Sequence, residues 1–79
     1  MEKQEIYDKV VNIVADHFEL NPDKVTGTLN FLSDIDADSI DFVELVLEME
    51  DEFGAEISDE AAEGLITIND TVDYIFKNQ

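Results

Sequence analysis

The sequence predicts an all-α fold, a small four-helix bundle of three main helices plus one short helix, with a long first loop. Three observations carry that prediction. Apolar residues recur at helical spacing in separate segments, Pro22 and Gly54 punctuate those segments, and no stretch alternates with period two for long enough to make a strand. A chain of 79 residues makes one domain, residues 1–79, with a core only just large enough to hold it together. There is no cysteine, so neither a disulfide nor a thiolate metal site can add stability, and apolar packing must supply it.

The first helix is expected from about Glu2 to Leu20, with Ile6, Val10, Ile13 or Val14, and Phe18 on one face. Pro22 disfavours a helical Asn21 and ends it. Residues 23–38 lack a period and hold Gly27, Thr28, Asn30 and Ser33, which suit a loop. Loops of that length are uncommon in compact domains, so Val25, Leu29, Phe31, Leu32 and Ile35 are expected to pin it across the core. The strongest element runs from Ser39 to Phe53, where Phe42, Leu45, Val46, Met49 and Phe53 form one apolar stripe and Gly54 gives the stop. A short helix from Asp59 to Gly64 follows, with Ala61 and Ala62 inward. The last helix begins near Thr67, which can cap it while Asp70 favours its positive end, and Val72, Ile75 and Phe76 give it a buried side.

Charge narrows the function. There are 21 acids and 4 bases, and no Lys or Arg lies between Val25 and Phe76, an interval that carries 15 of the acids. Nucleic acid is excluded as a partner, because neutralising phosphates takes a basic surface. Partners with basic patches are favoured instead, since complementary charge speeds encounter and rejects wrong surfaces. No run approaches the roughly 20 apolar residues that cross a bilayer, and the N-terminal segment lacks the apolar stretch of a signal peptide. The expectation is a soluble, cytoplasmic monomer without membrane insertion.

The segment DIDADSID, Asp34 to Asp41, sets the functional question. Asp34, Asp36 and Asp38 fall at positions 1, 3 and 5 of a calcium loop of the EF-hand kind. Such a loop needs glycine at its sixth position and a bidentate glutamate at its twelfth, where Ser39 and the core residue Leu45 stand. No specific metal site is therefore expected, only weak binding of divalent ions by the acidic surface. As a helix start the segment reads better: Asp38 is a good N-cap, and Asp41 lies where an acid favours the helix dipole. Ser39 is then not needed for capping, and its hydroxyl stands at the positive end of a helix, where an attached phosphate is tolerated. Ser39 has no G-x-S-x-G elbow around it, and the one histidine, His17, lies in the first helix as a surface or boundary residue. The chain reads as a substrate for modification, not as an enzyme.

The run DADSIDFVELVLEMEDEFGAEISDEAAEGLITINDTVDYI resembles the acyl carrier proteins, of the free-standing bacterial kind used in type II fatty acid synthesis. The resemblance spans essentially the whole chain and rests on Asp38-Ser39-Ile40 in place of the D-S-L motif, the V-E-L at Val43 to Leu45, the E-D-E-F at Glu50 to Phe53, the length and the charge. It implies a carrier of growing acyl chains, held as thioesters on a 4'-phosphopantetheine arm attached to Ser39. It also implies a phosphopantetheinyl transferase that draws the arm from coenzyme A, with Asp38 contacting the transferase and its metal ion. Ile40 replaces the usual leucine, Asp36 a common glycine, and Gly64 should weaken the third helix.

Two surfaces follow. Ile40 and Leu47 lie off the core stripe with Glu44 and Asp51 on their face, an apolar pair among acids that suits docking of fatty acid synthase enzymes with basic patches. Asp41 and Glu50 flank it, and Ile57, Asp59, Glu60 and Glu63 are expected to extend it. If the chain enters the bundle, Phe31, Val43, Val46, Met49, Leu65 and Ile66 are expected to line its pocket. The alternative reading is an unmodified acidic interaction module or a weak divalent-cation sensor.

Overall fold

The computed structural model describes all residues except 32, 35–38 and 79, and for Ser39 the backbone alone. Among the described residues there are four α-helices, α1 (Lys3–His17), α2 (Ser39–Phe53), α3 (Asp59–Glu63) and α4 (Ile68–Lys77), with a 3-10 turn at Pro22–Lys24. The all-α bundle is as expected, and α1 packs against both α4 and α2.

Helix α1 stops at His17, short of the expected Leu20, because the backbone closes on itself. Glu19 takes the left-handed conformation at φ 56°, and the Leu20 N–H then donates to Ala15 O at 2.7 Å, satisfying a carbonyl that the helix end would leave bare. Its buried face is Ile6, Val10, Val11, Val14 and Ala15, while Ile13 and Phe18 are half-buried at the margin. Asn21 caps the turn that follows, its side chain accepting from Asp23 N–H at 3.0 Å.

The long first loop is ordered by pairing with the start of α4. Asn69 N–H donates to Gly27 O at 2.9 Å, Ile68 N–H to Leu29 O at 3.3 Å, and Phe31 N–H to Ile66 O at 3.0 Å, around an isolated antiparallel bridge between Asn30 and Thr67. This satisfies backbone groups that a loop crossing a core would otherwise bury unpaired. Val25 and Phe31 are buried and Leu29 half-buried, as expected of pins; Leu32 and Ile35 lie outside the described residues. Asp34 is spent locally, its Oδ2 accepting from Asn30 N–H at 2.8 Å.

Helix α2 keeps its expected bounds. Leu45, Val46 and Met49 are buried, Phe42 and Phe53 pack beside them, and Phe42 meets Phe31 with ring centroids 5.6 Å apart. Gly54, at φ 62°, supplies the left-handed residue after the helix. Helix α3 is capped by Ser58, whose Oγ accepts from Ala61 N–H at 3.1 Å. Gly64 is the C-cap of α3 and not part of it, so the expected weakening of that helix by an internal glycine does not arise.

At α4, Thr67 and Asp70 form a reciprocal capping box, with Asp70 N–H donating to Thr67 Oγ1 at 3.2 Å. Its buried residues are Ile68, Thr71, Val72 and Ile75. Phe76, expected inside, is 42% exposed, because it falls at the border of a stripe centred on 68, 72 and 75. Thr71 is the one buried polar side chain among the described residues, and its hydroxyl donates to Thr67 O at 3.1 Å, which removes the penalty of burying it.

Candidate functional site

Ser39 is the first residue of α2, a helix of 15 residues, so its backbone stands at the positive end of the helix dipole. The capping role expected of Asp38, and the position of Asp36, lie outside the described residues. From this point α2 divides by helical angle into a buried stripe and an outward face. Ile40 is 70% exposed, Val43 56% and Leu47 58%, and their spacing by three, four and seven residues makes a continuous apolar ridge. Glu44 and Asp51 are exposed on the same side, and Asp59, Glu60 and Glu63 are exposed on α3. Glu50 is half-buried on the flank.

Two expectations need correction. Ile57 is only 5% exposed and belongs to the core cluster. The connection between α2 and α3 turns it inward, so it does not present the exposed surface expected of it. Among the residues expected to line an acyl pocket, Phe31, Val46, Met49 and Leu65 are buried, whereas Val43 and Ile66 are 56% and 44% exposed. Val43 lies one step around α2 from Phe42, which puts it on the ridge with Ile40 and Leu47, and neither Val43 nor Ile66 lines an enclosed space.

His17 sits at the boundary between α1 and α2. Its Nδ1 lies 3.5 Å from Glu48 Oε2, and its ring stands edge-on to Phe18 with centroids 4.8 Å apart. Two of the four lysines are in ion pairs: Lys3 with Asp73, and Lys9 with Glu52 at 3.5 Å. The hydrogen bond from Lys3 holds the Asp73 carboxyl below the usual aspartate range, with Lys77 adding to the effect. The outward acids of α2 and α3 thus keep a negative field for a partner.

Residues 8–75 match the family described as the phosphopantetheine attachment site. Over its full length the chain is 49% identical to an acyl carrier protein of Lactobacillus acidophilus, covering 99% of that relative. The chain belongs to the acyl carrier protein family. An acyl carrier protein of Thermosynechococcus vestitus is 48% identical over 75 residues, covering 95% of this chain and 93% of the relative. The solved structure of an acyl carrier protein from Enterococcus faecalis superposes with a TM-score of 0.85 at 49% identity, covering 100% of both chains. The cofactor of this acyl carrier protein is phosphopantetheine, and its function is acyl carriage in fatty acid synthesis. It is a carrier, and the reading as an unmodified acidic module or cation sensor is not favoured. No helix among the described residues is long and apolar enough to cross a membrane.

Proposed function

We propose that Ser39 carries the 4'-phosphopantetheine arm through a phosphodiester. In the loading reaction the Ser39 oxygen forms a new bond to the phosphorus that bears the pantetheine of coenzyme A. The pyrophosphate bond breaks, the nucleotide half departs, and the hydroxyl proton is lost to solvent or to the transferase. Growing acyl chains then ride on the terminal thiol as thioesters, and the absence of cysteine leaves that thiol without a competitor on the protein. The observation that carries the assignment is the place of Ser39: it opens a helix of 15 residues, inside the segment 8–75 that matches the attachment-site family, where an ester phosphate meets the positive end of the helix dipole.

Asp38 contacts the phosphopantetheinyl transferase and its metal ion. The ridge of Ile40 and Leu47, with Asp41, Glu44, Glu50, Asp51, Asp59, Glu60 and Glu63 around it, docks the transferase and the fatty acid synthase enzymes through their basic patches. The apolar residues anchor while the acids steer. The whole chain, 1–79, acts as one carrier domain, a monomer in the cytoplasm. A bound acyl chain is sheltered inside the bundle, among α2, the segment that follows α3 and the first loop, where Phe31, Val46, Met49 and Leu65 part to admit it. Loading from coenzyme A, read as the mass of the intact chain, tests the attachment site: wild type gains one phosphopantetheinyl group and Ser39→Ala gains none.

A further inference from the structure

Besides the carrier site, the described residues bring together one mixed set of metal-binding donors. Ligand atoms of His17, Asp41 and Glu44 all lie within 4.8 Å of one another. The set is drawn from two elements, the imidazole from the last turn of α1 and the carboxylates from the first turns of α2. Asp41 and Glu44 are three residues apart and so project toward the same side of α2. This is not simply a crowd of surface acids: His17 is the only histidine in the chain, it is half-buried, and Glu48 beside its Nδ1 limits the ring's freedom to turn away.

We propose that His17, Asp41 and Glu44 bind one zinc ion, bridging the end of α1 to the start of α2. Zinc takes histidine nitrogen and carboxylate oxygen at about 2.0–2.2 Å, which places the donors of a tetrahedral set about 3.4 Å apart. The donor atoms already lie within 4.8 Å of one another, and the exposed, long side chain of Glu44 has rotameric freedom to approach that spacing. Three protein donors leave a fourth position for water. The imidazole sets the preference, because nitrogen donors favour zinc and its neighbours, whereas an all-oxygen set suits magnesium or calcium. A net charge of −17 concentrates any divalent cation near the surface, so the distinguishing sign of this site is its dependence on His17. Asp41 and Glu44 also belong to the docking face proposed above, so a bound zinc would draw charge from that face. That consequence rests on the docking reading, while the site itself does not.

The test is zinc titration of the full-length chain without the phosphopantetheine arm, so that the arm's thiol cannot compete. Calorimetry is followed in parallel with the proton spectrum of the single imidazole. The expected result is one zinc per chain, with the His17 ring resonances moving on addition, and affinity weakened about tenfold or more in His17→Gln and in Glu44→Gln. Magnesium and calcium should leave the ring resonances in place, and His17→Gln should not alter their binding. If His17→Gln loses its helical spectrum, Glu44→Gln, at an exposed position, decides by the same readouts. Zinc affinity unchanged in the folded variants, or ring resonances indifferent to zinc, would overturn the site.

Discussion

Gly27 and Asn69 are in closer contact than any larger residue at position 27 would allow. The Asn69 N–H donates to Gly27 O at 2.9 Å, and a Cβ added to Gly27 would lie 2.4 Å from Asn69 Oδ1. This contact ties the long loop to the first turn of α4. Gly27→Ala should therefore destabilise the protein by about 1 kcal/mol, at the low end of overpacking costs because the exposed Asn69 side chain can swing aside. Thermal or denaturant unfolding measures it. The same substitution made on Asn69→Ala should cost less, and an additive double mutant would show that the close approach is not the cause.

The capping box of α4 makes a second prediction. Thr67 Oγ1 accepts from Asp70 N–H, and Asp70 Oδ2 accepts from Thr67 N–H at 3.2 Å. Because Thr67 also bridges to Asn30, the box holds both the helix start and the loop that crosses to it. Thr67→Ala should lower unfolding stability by about 1 kcal/mol, and Thr67→Ser should retain most of it.

Much of this was legible in the sequence, and the misses share a cause. The bounds of α2, its stop at Gly54 and the Thr67 cap follow from periodicity and cap chemistry, which are local. The early end of α1 depends on Glu19 adopting a left-handed conformation, which a glutamate does not advertise. The burial of Ile57 and the exposure of Phe76 were not legible, because they are decided by where an irregular connection or a last turn meets the core, not by spacing. Val43 could have been placed correctly: its 100° step from Phe42 already sets it beside Ile40 and Leu47. The pairing of residues 27–31 with 66–69, and the meeting of His17 with Asp41 and Glu44, join segments far apart in the chain and leave no local signal.

Docking is tested by splitting charge from apolar contact. Glu44→Lys should slow loading by the transferase mainly through encounter, with a KM raised about tenfold and a weaker dependence on salt. Leu47→Ala should raise KM without changing the salt dependence, since it removes an anchor and no charge. Equal kinetics for both variants and wild type, with unchanged circular dichroism, would remove α2 from the docking face.

The Lys3–Asp73 pair joins the start of α1 to α4 and gives a signed pH dependence. Asp73 is held below the usual aspartate range in the folded chain by its hydrogen bond to Lys3. The pair therefore stabilises the fold above the ordinary aspartate pKa, and its contribution fades as pH falls through the lowered folded value. The effect is small because both side chains are exposed. Asp73→Asn should melt slightly below wild type at neutral pH, with the two curves converging in acid. A difference that grew on acidification would contradict the assignment.

The central claim is that one serine of three carries the prosthetic group. Ser58 is engaged as the cap of α3, Ser33 lies in the turn set by Asn30 and Asp34, and Ser39 opens α2. The most direct measurement is the intact mass of the chain after incubation with coenzyme A and a phosphopantetheinyl transferase, in wild type and in Ser33→Ala, Ser39→Ala and Ser58→Ala. The account predicts a gain of one phosphopantetheinyl group in wild type, Ser33→Ala and Ser58→Ala, and no gain in Ser39→Ala. A modified Ser39→Ala chain, or a wild-type chain that no competent transferase modifies, would contradict it.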